Sequence, residues 1–161
     1  MRYLVLLALL ASTTALRAEP EYPKAGPDVY DTQADGTAQV DEAVRLAKRD
    51  QKQVLVVFGA NWCIWCRRLH ELFENNSAVR RELKAHYIVV HVDVNHRDGK
   101  KRNDAVNERF GNPIKNGLPV LVLLDRNGHM LTTQETGALE DGKSAHDPDK
   151  VVAFLRQWQP E

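Results

Sequence analysis

The sequence predicts an α/β fold in which a central mixed sheet has helices on both faces. Residues 54–58 and 119–124 are continuous apolar runs with many β-branched side chains, which is typical of strands covered on both sides. Residues 39–50 place apolar side chains at helical spacing, so helices alternate with strands. Asn127–Gly128 favours a tight hairpin turn, which adds an antiparallel strand at the edge of the sheet.

The predicted order of elements is helix, strand, helix, helix, strand, helix, strand, strand, helix. The first helix has one apolar face, formed by Val40, Ala43, Val44 and Ala47. The four strands are predicted at residues 54–58, 87–92, 119–124 and 129–133. A second helix starts at the cysteine pair, Ser77 is expected to cap a third that runs through Ala85, and a fourth ends near Phe110. Asp147 and Pro148 are predicted to be the cap and first residue of the closing helix.

The composition indicates one ordinary domain. The chain has 161 residues and is 43% hydrophobic, which is enough for a real core. Its 22 basic residues balance 22 acidic ones, so no net field attracts nucleic acid or an anionic membrane. Neither is therefore expected as a partner.

The first residues have the pattern of a secretory signal peptide. Arg2 precedes an apolar run over residues 3–11, and small residues follow. Cleavage is expected after Ala18, or as a second choice after Ala15. The run is shorter than the ~20 residues that span a bilayer, so no stable membrane insertion is expected after cleavage. The predicted product is exported, and periplasmic if the source is Gram-negative.

This interpretation divides the chain into a signal peptide (residues 1–18), an extended lead-in (19–37) and one folded domain (38–161). The lead-in holds several prolines, glycines and acids and is predicted to have little structure of its own.

Cys63 and Cys66 are the only cysteines of the chain. A disulfide between them closes a very small loop and restrains little of the unfolded chain, so it would add little stability. The pair is therefore not expected to have a structural role. At the first turn of a helix, unpaired backbone N–H groups and the helix dipole favour the thiolate of Cys63. Cys63 is therefore the expected nucleophile, and Cys66 is expected to resolve the mixed disulfide.

Other uses of the pair have specific requirements. A Cys-x-x-Cys pair can be half of a zinc site, but the sequence has no second pair. Metal handling through Cys63, Cys66 and His70 on one helix face is the alternative left open. A c-type haem needs histidine after the second cysteine, where this chain has Arg67. No cofactor or resident metal is expected.

Residues 54–67 resemble the strand and active-site segment of the thioredoxin superfamily. The similarity is greatest to exported bacterial thioredoxin-like proteins and to the carboxy-terminal domain of the thiol:disulfide interchange transporter. Residues 117–119, followed by a strand and the turn at 125–128, resemble the second signature of that family. The resemblance covers about residues 38–158.

The resemblance implies a thioredoxin-like fold and reduction or exchange of disulfides in exported partner proteins. A membrane-bound or soluble thiol would donate the electrons. It also implies that the Leu118–Pro119 bond is cis and faces the cysteines, with Leu118 pairing with substrate backbone. Trp62 would shield the site and Trp65 would face the partner. The remaining alternative is a binding module that keeps the fold without efficient turnover.

Two departures from the family pattern limit what the resemblance implies. Thioredoxin has a buried aspartate where this chain has Val57, and a lysine on the next strand whose place falls at about Val89. The residues between the cysteines are Ile64 and Trp65, which match neither the strongly reducing nor the more oxidising members. The proton acceptor for Cys66 and the direction of electron flow are thus left open by the motif.

Overall fold

Four strands form one mixed sheet in the computed structural model, which describes residues 27–160 apart from the side chain of Asp98. The strands are β1 (Gln53–Gly59), β2 (Tyr87–Asp93), β3 (Val120–Leu124) and β4 (Met130–Glu135). Their order across the sheet is β2-β1-β3-β4. β1 pairs in parallel with β2 and antiparallel with β3, and β3 and β4 are antiparallel. The predicted signal peptide lies outside the described residues.

Helices flank this sheet in the predicted order. They are α1 (Gly36–Asp50), α2 (Ile64–Asn75), α3 (Ser77–His86), α4 (Asp104–Arg109) and α5 (Pro148–Gln157), with short 3₁₀ turns between some elements. Asp147 caps α5 and Pro148 is its first residue, as predicted. Across residues 27–160, no helix is both long enough and apolar enough to cross a bilayer.

The core has two layers because side chains alternate between the two faces of each strand. Leu55 and Val57 of β1 belong to the layer that includes residues of α2, α3 and α5. Val54, Val56 and Phe58 point the other way and pack with residues of α1 and α4. All five side chains are at most 1% exposed. The central sheet with helices on both faces is therefore confirmed.

The ends of two helices differ from the sequence prediction. Asn76, not Ser77, caps α3, because its side-chain oxygen accepts hydrogen bonds from the amides of Ala78 and Val79. Ser77 is the first helical residue instead. α1 begins at Gly36, three residues before the predicted start, because the Asp35 side chain caps it.

The part of the lead-in that the structure describes packs onto the domain. Residues 27–35 contain no helix or strand, in line with the composition. Tyr30 is nevertheless only 2% exposed and lies in one cluster with both cysteines. A segment without periodicity thus contributes to the surroundings of the cysteine pair.

Candidate active site

The cysteine pair lies where β1 ends and α2 begins. Cys63 is the N-cap of α2, and its sulfur accepts a hydrogen bond from the Cys66 amide at 3.2 Å. The two residues form a disulfide, with their Cα atoms 5.2 Å apart. Cys63 is 6% exposed and Cys66 is 1% exposed. Cys63 is thus the more exposed of the two residues, and its sulfur lies at the helix start, where backbone amides lack helical partners.

Leu118 and Pro119 come from a distant part of the chain to face the pair. The Cys63 sulfur is 3.6 Å from the Leu118 carbonyl oxygen. The Leu118–Pro119 peptide bond is cis, and the buried Thr136 hydroxyl donates to the Pro119 carbonyl at 2.7 Å. Within the described chain, neither the amide nor the carbonyl of Leu118 makes a backbone hydrogen bond. This backbone is available for an extended strand.

Trp62 is fixed by the loop that follows β2. Its indole N–H donates to the Asn95 side chain at 2.9 Å, and the same Asn95 oxygen accepts the Arg97 amide at 3.0 Å. The Arg97 guanidinium lies over the indole, 3.4 Å from the ring centroid. The ring therefore has one defined position beside Cys63.

Trp65 and Ile64 form the outer side of the site. The Trp65 ring meets the ring of His146 edge-on at 5.4 Å, and the Arg68 guanidinium is 4.8 Å from its centroid. Burial, with a smaller effect from Arg68, lowers the pKa of His146. Ile64 is 46% exposed, which is unusual for a large apolar side chain in this protein. Trp65 therefore packs against the cysteine cluster while Arg68 and His146 lie against its ring.

A groove runs from Trp62 and Leu118 towards α4. Its volume is about 630 Å³. Cationic or ionisable side chains on its walls include His96, Arg97 and Lys101, while Asp104 is paired with His96 at 2.6 Å. The groove borders Trp62 and Leu118, which pack against the cysteines.

Asn61 and Arg67 attach the lead-in to the active-site loop. The Asn61 side chain accepts the amides of Val29 and Tyr30, each at 2.9 Å, and donates to the Tyr30 carbonyl at 2.8 Å. Arg67 is 8% exposed and donates to the carbonyls of Asn61 and Pro27, both at 2.7 Å. Sequence analysis missed these contacts, because no local pattern shows that the lead-in meets this loop.

His91 lies beside Val57 in the sheet. It is the residue of β2 whose Cα pairs with that of Val57. Burial, with a smaller effect from His70, lowers the pKa of His91 to about 4. The ring is thus neutral near pH 7.

His70 does not join the cysteines as a ligand set. Its ring meets that of His91 at a centroid distance of 5.1 Å. In the described part of the chain, no three His, Cys, Asp or Glu side chains are grouped so as to hold a metal ion. The geometry gives no support to metal handling through Cys63, Cys66 and His70.

The fold and the cysteine geometry agree with comparisons to known proteins. Residues 35–126 match the family model described as Thioredoxin-like. This chain belongs to the thioredoxin-like family. It is therefore an enzyme of the thiol–disulfide oxidoreductase class, and the thioredoxin-like fold predicted from sequence is confirmed.

Individual relatives of this thioredoxin-like protein are consistent with that class. It is 32% identical to a structure described as a disulphide isomerase from Xylella fastidiosa, with a TM-score of 0.69, covering 80% of this chain and 95% of that one. It is 28% identical over 120 residues to the disulfide bond reductase DsbH of Chlamydia pneumoniae, covering 71% and 69% of the two chains. The DsbD C-terminal domain of Neisseria meningitidis shares the fold at 19% identity and a TM-score of 0.55, covering 77% and 96%.

Proposed function

We propose that this protein is exported and reduces or exchanges disulfides in partner proteins, with Cys63 as nucleophile and Cys66 as resolving cysteine. The relatives described as a disulfide bond reductase and a disulphide isomerase support this class of substrate. The single observation that carries the proposal is the position of Cys63. Its sulfur caps α2 and accepts the Cys66 amide, so negative charge on this sulfur is stabilised.

The reaction then proceeds in two exchanges. The Cys63 thiolate attacks one sulfur of the substrate disulfide, forms a mixed disulfide and releases the other sulfur as a thiolate. Cys66 attacks Cys63, the bond from Cys63 to the substrate breaks, and the second substrate sulfur leaves. Two electrons pass to the substrate, and the enzyme is left in the disulfide form that the structure contains. A membrane-bound or soluble thiol donor restores the dithiol.

The substrate is held by Trp62, Trp65, Leu118 and Pro119. The backbone of Leu118 pairs with an extended substrate segment, as in short strand addition. Support comes from the 3.6 Å separation between the Cys63 sulfur and the Leu118 carbonyl, which puts such a segment next to the attacking sulfur. The tryptophans supply apolar contact on both sides.

Export rests on the sequence pattern of residues 1–18. The mature protein is expected to begin near Glu19 and to be found outside the cytoplasm, in the periplasm of a Gram-negative source. Amino-terminal sequencing of the protein purified from its own cell fractions tests this. An intact Met1 on a cytoplasmic protein would refute export while leaving the redox chemistry untouched.

Trapping tests the two cysteine roles. Cys66→Ser should accumulate mixed disulfides with partner proteins, because the resolving step is lost, while Cys63→Ser should accumulate none. Alkylation of the reduced protein at mildly acid pH should modify Cys63 first. Covalent partners that form with Cys63→Ser instead would reverse the assignment, and none with either variant would favour a binding module without turnover.

A further inference from the structure

Cys66 must lose a proton to attack Cys63, yet it is 1% exposed and Val57 supplies no acceptor. We propose that Tyr30 and Asp93 form the proton route for Cys66, with the Tyr30 hydroxyl beside the sulfur and the Asp93 carboxylate as the final acceptor. This inference rests on the proposed function and identifies the groups that serve its resolving step.

Gly59 shows how closely Tyr30 approaches Cys66. A Cβ at this position would overlap the Tyr30 hydroxyl and would lie 2.8 Å from the Cys66 sulfur. The hydroxyl and the sulfur are therefore neighbours that share the space above one glycine. The three hydrogen bonds between Asn61 and the backbone of Val29 and Tyr30 hold the ring in this place.

Asp93 lies on the same face of the sheet. Its Cα is the partner of Gly59 across β1 and β2, and neighbouring residues of parallel strands point to the same side. The carboxyl group is 1% exposed.

In the described chain the Tyr30 hydroxyl lacks a hydrogen-bond partner, so no hydrogen bond joins it to Asp93 or Cys66 in the disulfide form. The Asp93 carboxylate is paired with Arg102 at 3.6 Å, and the Asn95 amide also acts on it. A buried hydroxyl of this kind rarely goes unpaired without a functional reason.

The acid–base properties of the two groups fit a relay. Burial raises the pKa of Asp93 against the opposing effect of Arg102, so its carboxylate accepts a proton more readily than an exposed aspartate does. Burial, followed by the charge of Asp93, raises the pKa of Tyr30 far above its ordinary value. Tyr30 therefore remains a hydroxyl and passes a proton on instead of becoming an anion.

Other titratable groups around the route are less suited to the role. His91, on β2, meets the Tyr30 ring at 5.5 Å, but burial lowers its pKa to about 4, whereas burial raises the pKa of Asp93. His70, on α2, meets the His91 ring edge-on, with 5.1 Å between the ring centroids. Lys100, before α4, acts on Asp93 only through its charge. Arg67, at the start of α2, binds the carbonyls of Asn61 and Pro27.

The proposed step is balanced. The Cys66 sulfur bonds to Cys63 as the Cys63–substrate bond breaks, and the bonding electrons leave with the substrate thiolate. The Cys66 proton moves to the Tyr30 oxygen while the Tyr30 proton moves to the Asp93 carboxylate. When the donor thiol later reduces the pair, Cys66 leaves as a thiolate and recovers the proton by the reverse path.

Single-turnover kinetics with 5,5′-dithiobis(2-nitrobenzoate) separate the two cysteines. Attack by Cys63 on this probe releases one thionitrobenzoate, and attack by Cys66 on the mixed disulfide releases the second. Tyr30→Phe and Asp93→Asn should each slow the second release at least ~10-fold at neutral pH, the lower end of general-base effects, and leave the first unchanged. Asp93→Asn should also remove one inflection from the pH profile of the second release.

Matched controls are Tyr87→Phe, which removes a buried hydroxyl bound to the Leu155 carbonyl, and Asp41→Asn, an exposed carboxylate paired with Arg109. Both should keep the wild-type second release. Wild-type second release in Tyr30→Phe or Asp93→Asn would overturn the relay, as would equal slowing in the controls. Loss of the first release in the wild-type protein would refute the proposed function itself, so the two failures are distinguishable.

Discussion

At the residue scale, the surroundings of the cysteines depend on a few polar side chains that connect distant segments. Asn61 uses its amide oxygen and nitrogen together to bind the backbone around Tyr30. Asn95 connects Trp62 to the loop after β2 with its side-chain oxygen, which accepts both the indole N–H and the Arg97 amide. Such bonds contribute modestly one by one, but they fix aromatic rings against the sulfurs.

Asn61→Ala should lower the free energy of unfolding by about 2–3 kcal/mol, because three hydrogen bonds are lost at ~1 kcal/mol each. Asn61→Asp is the comparison, since it keeps the acceptor for the Val29 and Tyr30 amides but replaces the donor with a carboxylate oxygen that faces the Tyr30 carbonyl. Urea unfolding of the oxidised proteins measures both values. Equal losses in the two variants would show that the accepted bonds contribute nothing.

Gly59→Ala should destabilise the protein by ~1–3 kcal/mol, the range for overpacking, because the new methyl overlaps the Tyr30 hydroxyl and crowds Cys66. Gly137→Ala is the control. Its methyl meets only the end of the exposed Glu135 side chain, which can rotate away with the loss of one exposed hydrogen bond to the Gly137 amide. Thermal unfolding of both variants checks the difference, and a neutral Gly59→Ala would contradict the close approach on which the relay depends.

At the element scale, helix caps decide where the site helices start. The chain passes from α2 to α3 with Asn76 between them, and this residue ends one helix and caps the next. A helix start leaves several amides without partners, so one side-chain oxygen in the correct place has a large local effect. Cys63 has the same position at the start of α2, where its sulfur is the acceptor.

Asn76→Ala should therefore cost about 1 kcal/mol of stability, whereas Ser77→Ala should cost much less. Ser77 is already helical and its side chain binds no cap amide, so alanine there loses nothing of that kind. Chemical denaturation of the two single variants tests the assignment directly. A larger loss of stability for Ser77→Ala than for Asn76→Ala would show that Ser77 is the cap residue, as the sequence predicted.

At the scale of the whole molecule, buried titratable groups make stability depend on pH. Burial lowers the pKa of His91 from 6.5 to about 4, and it also lowers the pKa of His146. Between pH 6.5 and 4 the unfolded chain binds more protons than the folded one, so acidification through this window destabilises the fold. Asp93 acts oppositely, because burial raises its pKa and its contribution is lost as the pH rises.

For His91 alone, the effect amounts to about 3 kcal/mol across that window. His91→Asn should flatten the fall in unfolding free energy between pH 7 and pH 4. His129→Asn is the comparison on the exposed hairpin. Its ring is 79% exposed and pairs with Asp125, so its removal should change the slope much less than His91→Asn does. Urea denaturation at a series of pH values measures both, and an unchanged slope in His91→Asn would rule out His91 as the source.

The sequence by itself determined the alternation of helices and strands, the two-layered core and the place of Cys63 and Cys66 at a helix start. These features follow from local periodicity, because each strand or helix must bury its apolar face or faces whichever distant segment covers them. The same reasoning explains why Val40, Ala43 and Ala47 of α1 are buried as expected.

Only the tertiary structure decided which groups surround Cys66. Tyr30 lies in a segment with no periodicity, and its position depends on Asn61, 31 residues away in sequence. Asp93 lies beside Gly59, and His91 beside Val57, because of the register in which β2 pairs with β1. The pairing register of the strands and the docking of the lead-in depend on packing of the whole chain. Neither can therefore be predicted from a short stretch of sequence.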